Sequence, residues 1–279
     1  MNCKYCRSED IIKFGKVKGI QRYFCKSCRR KFVSPDTIPK MQTSTSTISK
    51  VLNLYHQGLS ENEIRRMLIE SDNICVSTGS IFSWVRRFTD LAIRETVSYV
   101  PEVSTEWVAD ETLLNLVGKS VCFWDIIDKG SCLLITSHMS LTRTALDAQE
   151  LINQAYERTD VIPRVICTDK LAPFLVSTEL NFGEEIKREQ DGLFNIENGT
   201  SLVARVHTIF RERTRIMHRL RNLDTIRRFM ESWSFYYNYL KPHPFLSGKT
   251  PAELAGINFP FKNWQDIIEQ PYTETTRIP

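Results

Sequence analysis

The spacing of apolar positions divides the chain into stretches with three different periods. Between residues 11 and 25, "IIKFGKVKGIQRYFC" alternates apolar and polar residues, which predicts a β-hairpin with Gly19 near its turn. From residue 48 the period becomes helical. Apolar residues fall at 48, 51, 52, 54 and 55 and, beyond Gly58, at 59, 64, 67 and 68. Ser60 with Glu63 three residues on forms a capping box that opens the second helix. A third helix is predicted over "VSTGSIFSWVRRFTDL", with Ser77 or Thr78 at its start, Ile81, Trp84, Val85 and Phe88 inward, and Arg86 and Arg87 at its end. Between hairpin and helices, residues 33–47 carry two prolines and a Ser/Thr run, which is linker chemistry.

From residue 105 the pattern changes again. "EWVADETLLNLVG", "SVCFWDIIDKG" and "SCLLITSHMS" predict three strands joined by short turns, an antiparallel meander. A helix over "RTALDAQELINQAYERT", a buried strand "VIPRVICTDK" ending in Asp169, a helical "LAPFLVSTELNF" and a short strand in "EEIKREQ" follow. Two helices, near 200–220 and 222–240, complete the pattern. Three strands, helix, strand, helix, strand, helix is an α/β order that fits a ribonuclease-H-like core.

At 279 residues the chain has room for two or three domains, and 42% hydrophobic content supports a sizeable core. No apolar run approaches the length needed to cross a bilayer, and no apolar stretch follows the first charges as in a signal peptide. A cytoplasmic protein is expected. The net charge of +4 is unevenly placed: residues 1–31 sum to +8 and residues 205–241 to +6, leaving −10 for the rest. Two basic islands on an acidic body suit two contacts with a polyanion such as nucleic acid, or two solvated helix faces.

The eight cysteines form two populations. Cys3/Cys6 and Cys25/Cys28 are paired C-x-x-C units flanking 18 residues, a spacing that suits two knuckles on one tetrahedral Zn²⁺. So short a segment cannot bury enough surface to fold alone, and the metal would supply the stability. A redox C-x-x-C is the competing reading. Cys75, Cys122, Cys132 and Cys167 lie among apolar neighbours and read as buried hydrophobes. Beside the basic ribbon, the three helices with their Gly turn resemble a helix-turn-helix DNA reader, a plain three-helix core being the alternative.

Two aspartates stand apart. Asp110 lies mid-way along the apolar "WVADETLL" and Asp169 ends "RVICTDK". A carboxylate in an apolar strand is costly unless paired, hydrogen-bonded or metal-bound. Brought together on adjacent strands, the two would be hard oxygen ligands for Mg²⁺, in a site able to activate a water or a 3′-hydroxyl. Glu111 alternates to the opposite face from Asp110, and Asp125 and Asp128 read as residues flanking a hairpin turn.

The ordered set "WVADET", "ICTDKLAPF", "VARVHTIFRERTRIM", "FYYNYLKPH" and "GKTPAELAGI", behind the ribbon and the three helices, resembles DDE transposases of the insertion-sequence-six type over nearly the whole chain. The resemblance implies a retroviral-integrase-like fold in which two Asp and one Glu hold Mg²⁺ or Mn²⁺ for DNA strand cleavage and transfer. Asp110 and Asp169 fall on the first two positions. The third falls on Ala204, with Val203, Arg205 and His207 around it as the pattern expects. Glu197 and Glu212 lie seven residues before and eight after, too far along a helix to replace it. The resemblance therefore implies a chain severely impaired in cleavage. Two origins stay open: a deliberate Glu→Ala change, or decay and co-option into DNA binding, which Thr208 and Lys170, both departures from the family pattern, also suit.

On this reading Arg86 and Arg87 of the third helix, and Arg205, Arg211, Arg213 and Arg215 near the site, contact DNA. His207 contacts DNA, orders the site or is structural. Trp233, Tyr236 and Tyr237 belong to the core. The expected domains are a zinc ribbon (1–34), a linker (35–47), a helix-turn-helix domain (48–95), the ribonuclease-H-like core (100–245) and a C-terminal tail (246–279). The expected partners are element ends and target DNA, with a homodimer or higher oligomer assembled on them and the protein associated with the nucleoid. The rival function is a non-catalytic DNA-binding regulator.

Overall fold

The structure is a computed structural model that describes residues 2–3, 5–6, 8–17, 20–33, 43–116, 118–168, 187–189 and 222–270. The chain divides into two compact units, one of residues 1–91 with 261–279 and one of residues 92–260.

The first unit opens with three antiparallel strands, β1 (Ile11–Val17), β2 (Ile20–Cys25) and β3 (Lys31–Val33), in the order β1-β2-β3. Strand alternation gives the sheet two unlike faces. Ile11, Tyr23, Cys25 and Phe32 pack with Cys3 and Cys28 on one of them. The β1–β2 register slips between Lys13 and Lys16, where Gly15 takes φ +71°, a left-handed bulge conformation that glycine adopts without strain.

Three helices follow: α1 (Thr45–His56), α2 (Glu61–Asp72) and α3 (Thr78–Thr96). Ser44 caps α1, so the helix starts inside the stretch expected to be linker, because the Ser/Thr run supplies a cap as readily as a loop. The Ser60–Glu63 capping box is formed as predicted. Ile48, Val51, Leu52, Ile64, Leu68, Ile81, Trp84, Val85 and Phe88 are all buried, as the helical period requires. α3 does not end at Arg86 and Arg87 but runs two and a half turns further, because Leu91 and Ala92 keep its buried stripe going. Cys75, expected to be buried, is exposed in the α2–α3 connection, whereas Cys122, Cys132 and Cys167 are buried. Near the other end of the chain, a short helix that we call α7 (Trp264–Glu269) packs on α1. Trp264 stacks on the His56 ring at 4.9 Å, and Thr45 Oγ1 donates to Glu269 Oε1 at 2.7 Å.

The second unit is built on a five-stranded sheet of order β6-β5-β4-β7-β8. β4 (Glu106–Leu116), β5 (Lys119–Asp128) and β6 (Leu134–Ser140) form the predicted meander. Helix α4 (Ala145–Thr159) then crosses over, and β7 (Val165–Thr168) joins β4 in parallel, with β8 (Lys187–Glu189) parallel beyond it. Ala148, Leu151, Ile152 and Ala155 of α4 cover Trp107, Ala109, Cys122, Trp124 and Ile126, which fill one face of the sheet. The predicted helices over 171–182 and 200–220 lie outside the described residues.

Helix α5 (Leu223–Phe235) continues into a π-helical turn, Tyr236–Leu240, and α6 (Pro251–Leu254) follows. Trp233, Tyr236 and Tyr237 are buried, with Trp233 and Tyr237 stacked at 5.2 Å, so these aromatics are core. Within the π turn, buried Asn238 accepts from Leu134 N at 3.0 Å and donates to Leu134 O at 2.8 Å, taking over both backbone groups at one position of edge strand β6. His243 is buried against Tyr237, and burial brings its pKa down to about 4, so it is neutral at physiological pH.

The β5–β6 turn hangs on one carboxylate. Asp128 is buried; its Oδ1 accepts from Ser104 N (2.8 Å) and Oγ (2.6 Å), and its Oδ2 from Ser131 N and Oγ (both 2.6 Å). Asp128 is therefore the turn residue that the sequence suggested. Replacing it, Asp128→Ala, removes the acceptor of four donors, of which Ser104 Oγ alone keeps another in the Glu106 carbonyl, and is expected to cost about 3 kcal/mol or more in urea unfolding; a loss below about 1 kcal/mol would mean that water replaces the carboxylate.

Candidate nucleic-acid and metal sites

Two clusters bear on chemistry. In the first unit, the thiols of Cys3, Cys6, Cys25 and Cys28 all lie within 4.8 Å of one another. Cys3 and Cys28 sulfurs are 3.6 Å apart, and those of Cys6 and Cys25 are 3.5 Å apart. Four sulfurs about 2.3 Å from a tetrahedral Zn²⁺ would have edges of about 3.8 Å, so this set fits that ion closely. The thiols are electrostatically unequal. The Cys28 backbone N–H draws the Cys25 pKa down to about 6, whereas burial pushes Cys28 up to about 12. The Cys25 thiolate is favoured while Cys6 and Cys28 resist ionising, a conflict that a dication at the centre relieves.

In the second unit the parallel pairing of β4 with β7 sets Ala109 opposite Thr168. Each strand's next residue in sequence is an aspartate, Asp110 on β4 and Asp169 after β7. Asp169, Ala204, Arg205, His207, Arg211, Arg213 and Arg215 lie outside the described residues. Of the predicted DNA contacts on α3, Arg86 is exposed. Arg87 is half-buried, its guanidinium 5.6 Å from the Phe88 ring, and burial lowers its pKa.

Asp125 corrects the sequence reading. It does not flank a turn but lies within β5, directly opposite Asp110 in the antiparallel register. It is buried, and Ser137 Oγ, opposite it on β6, donates to its Oδ1. The signal was present in the turn. Leu116 pairs with Lys119, and counting outward from that two-residue connection brings 110 opposite 125. Glu111, by contrast, is on the α4 side, where it forms an ion pair with Arg143 and accepts from Cys122 Sγ at 3.4 Å. Burial, with Glu111 beside it, pushes the Cys122 thiol up to about 12. A cavity of about 510 Å³ opens at the β6 edge, between α4 and α5, bordered by Ser137, His138, Arg158 and Glu231 among others.

A mixed sheet of this order, with its meander, crossover helix and an aspartate midway along the first strand, defines an integrase-like α/β core. A family model described as a DDE domain matches residues 104–243, half of the chain, and the chain belongs to this family, the DDE transposases with a ribonuclease-H-like core. The magnesium-bound catalytic core domain of HTLV-2 integrase, in its trimeric form, is similar at 20% identity and TM-score 0.41, over 56% of this chain and 97% of that one. The simian T-cell lymphotropic virus intasome in complex with the PP2A regulatory subunit B56 gamma is similar at 13% identity and TM-score 0.41, over 77% of each chain. These likenesses are faint beside the domain match. None of the curated proteins matches the sequence.

Two like charges directly opposite on neighbouring strands destabilise a sheet. Asp125→Asn keeps an acceptor for Ser137 and removes one charge from the pair, so it is expected to raise stability by about 0.2–1 kcal/mol in metal-free buffer. Thermal unfolding checks this, and a decrease would show that the carboxylate at 125 is needed for the fold.

Proposed function

We propose that the chain is a transposase-type DNA-binding protein whose strand-transfer site lacks its third carboxylate. The observation that carries the reading is the DDE domain match over 104–243, combined with the β4–β7 register that leads into Asp110 and Asp169. DNA transposition or integration is the activity of that class. The residues that would hold Mg²⁺ or Mn²⁺ are Asp110 and Asp169; with alanine at 204 the donor set is one carboxylate short of a three-acid site. The set does not fit the metal chemistry of the family, and cleavage is expected to be weak or absent. DNA binding would rest on the basic N-terminal segment, on α3 through Arg86 and Arg87, and on the arginines of 205–215. The four cysteines would hold Zn²⁺, which supplies stability to a three-stranded sheet too small to stand alone. Several copies would assemble on the DNA, and the protein would be found with the nucleoid.

Ala204 also favours a second reading: a transposase-derived regulator that binds DNA and no longer cuts it. Strand transfer on element ends with Mg²⁺ separates the two. The unaltered chain is expected to show little or no product, and Ala204→Glu to raise product by about 10²-fold or more. An Ala204→Glu protein that stays silent with zinc and DNA binding intact supports the regulator. Cleavage by the unaltered chain would show that position 204 is not the third ligand.

The zinc reading has its own test. Elemental analysis is expected to give one zinc per chain, and Cys25→Ser or chelation to abolish it and unfold the N-terminal sheet. A chain that stays folded and metal-free with thiols cycling to disulfides would favour the redox reading.

A further inference from the structure

The second face of the N-terminal sheet lies away from the cysteines and the small core packed around them. Ile12 and Phe24 are opposed in register, as are Phe24 and Lys31, so these residues share the face turned away from the cysteines. Phe14 lies on it too, 6.1 Å from the Phe24 ring. Ile12 is 43% and Phe14 42% exposed, unusual for large apolar side chains on a small sheet. Two cations are gathered over the same ring: Lys31 Nζ is 4.2 Å and the Arg22 guanidinium 5.8 Å from the Phe14 centroid. The bulge at Gly15 directly follows Phe14, and bulges re-aim neighbouring side chains. Nothing in the fold of this sheet requires the arrangement, because its core lies on the other side.

An exposed Phe14 beside a half-buried Phe24, fringed by two cations in a segment of net charge +8, fits a polyanion that also offers flat apolar surfaces. Single-stranded DNA has both: phosphates for Lys31 and Arg22, and unpaired bases for Phe14 and Phe24. A duplex offers the phosphates but keeps its bases stacked inside. We propose that this face binds unpaired DNA, stacking a base on Phe14 beside Phe24 while Lys31 and Arg22 contact the flanking phosphates. The proposal rests on the reading of the chain as DNA-binding and adds which form of DNA the N-terminal sheet takes.

The test uses the full zinc-loaded chain with an oligothymidylate and a duplex of equal length. Phe14→Leu keeps apolar bulk without a π face; it is expected to raise the Kd for the oligothymidylate at least about fivefold and to leave duplex binding within about twofold. Lys31→Gln is expected to lower the salt slope for the single strand by about 0.7. Phe14→Trp should retain binding, with its added indole emission quenched by the oligothymidylate. Unchanged oligothymidylate affinity in Phe14→Leu, or equal loss on both DNA forms, overturns the proposal. So does a self-association that Phe14→Leu abolishes, which would assign the face to a second copy. Should Phe14→Leu shed its zinc, the indole decides, and absence of quenching overturns it. Binding of the unaltered chain to neither DNA form would remove the DNA-binding reading itself, whereas duplex binding without selectivity removes this inference alone.

Discussion

The parallel pairing of β4 with β7 is the constraint on which the second unit depends. Antiparallel neighbours need only a tight turn, but a parallel neighbour needs a crossover, and α4 provides it. The helix must then be apolar along the stripe that meets the sheet, which is why Ala148, Leu151, Ile152 and Ala155 face Trp107, Ala109 and Trp124. Once that layer is closed, β4 is held between β5 and β7 over Trp107–Ala109 and continues beside β5 alone to Leu116. Asp110 directly follows the last doubly paired position, at the point where β7 ends.

Asp125 shows how closely such a sheet couples its positions. The hairpin register of β4 and β5 sets Asp110 against Asp125, and that of β5 and β6 sets Asp125 against Ser137. The row thus carries two aspartates and a serine donor across three strands.

Much of the architecture was legible because burial and period agree. The inward residues of α1 to α3, the capping box at Ser60 and the β4–β6 meander follow directly from 3.6- and 2-residue spacing. What escaped depended on non-local facts. Asp125 lies only three residues before the turn acid Asp128, and without a register the two look alike. Cys75 sits beside Ile74 in sequence, yet the chain there is a connection and not an element. Arg86 and Arg87 resemble a helix-ending pair, but the buried stripe of α3 continues past them. The docking of Trp264 on His56 joins positions more than 200 residues apart, and no local pattern announces it. Asp110 stood out as a carboxylate in an apolar strand, whereas Asp125 comes opposite it only once the β4–β5 turn is counted outward.

The clasp of Asn238 on Leu134 bears on how the protein avoids other copies of itself. β6 is one of the two outer strands among the described residues, and an outer strand with vacant backbone groups invites pairing with the same strand of another molecule. By engaging both the N–H and the carbonyl of Leu134, one buried amide closes the start of that strand to a foreign partner. A side chain on a π-helical turn thus works as an edge guard, and it keeps whatever assembly this chain forms from being built by sheet extension at that end of β6.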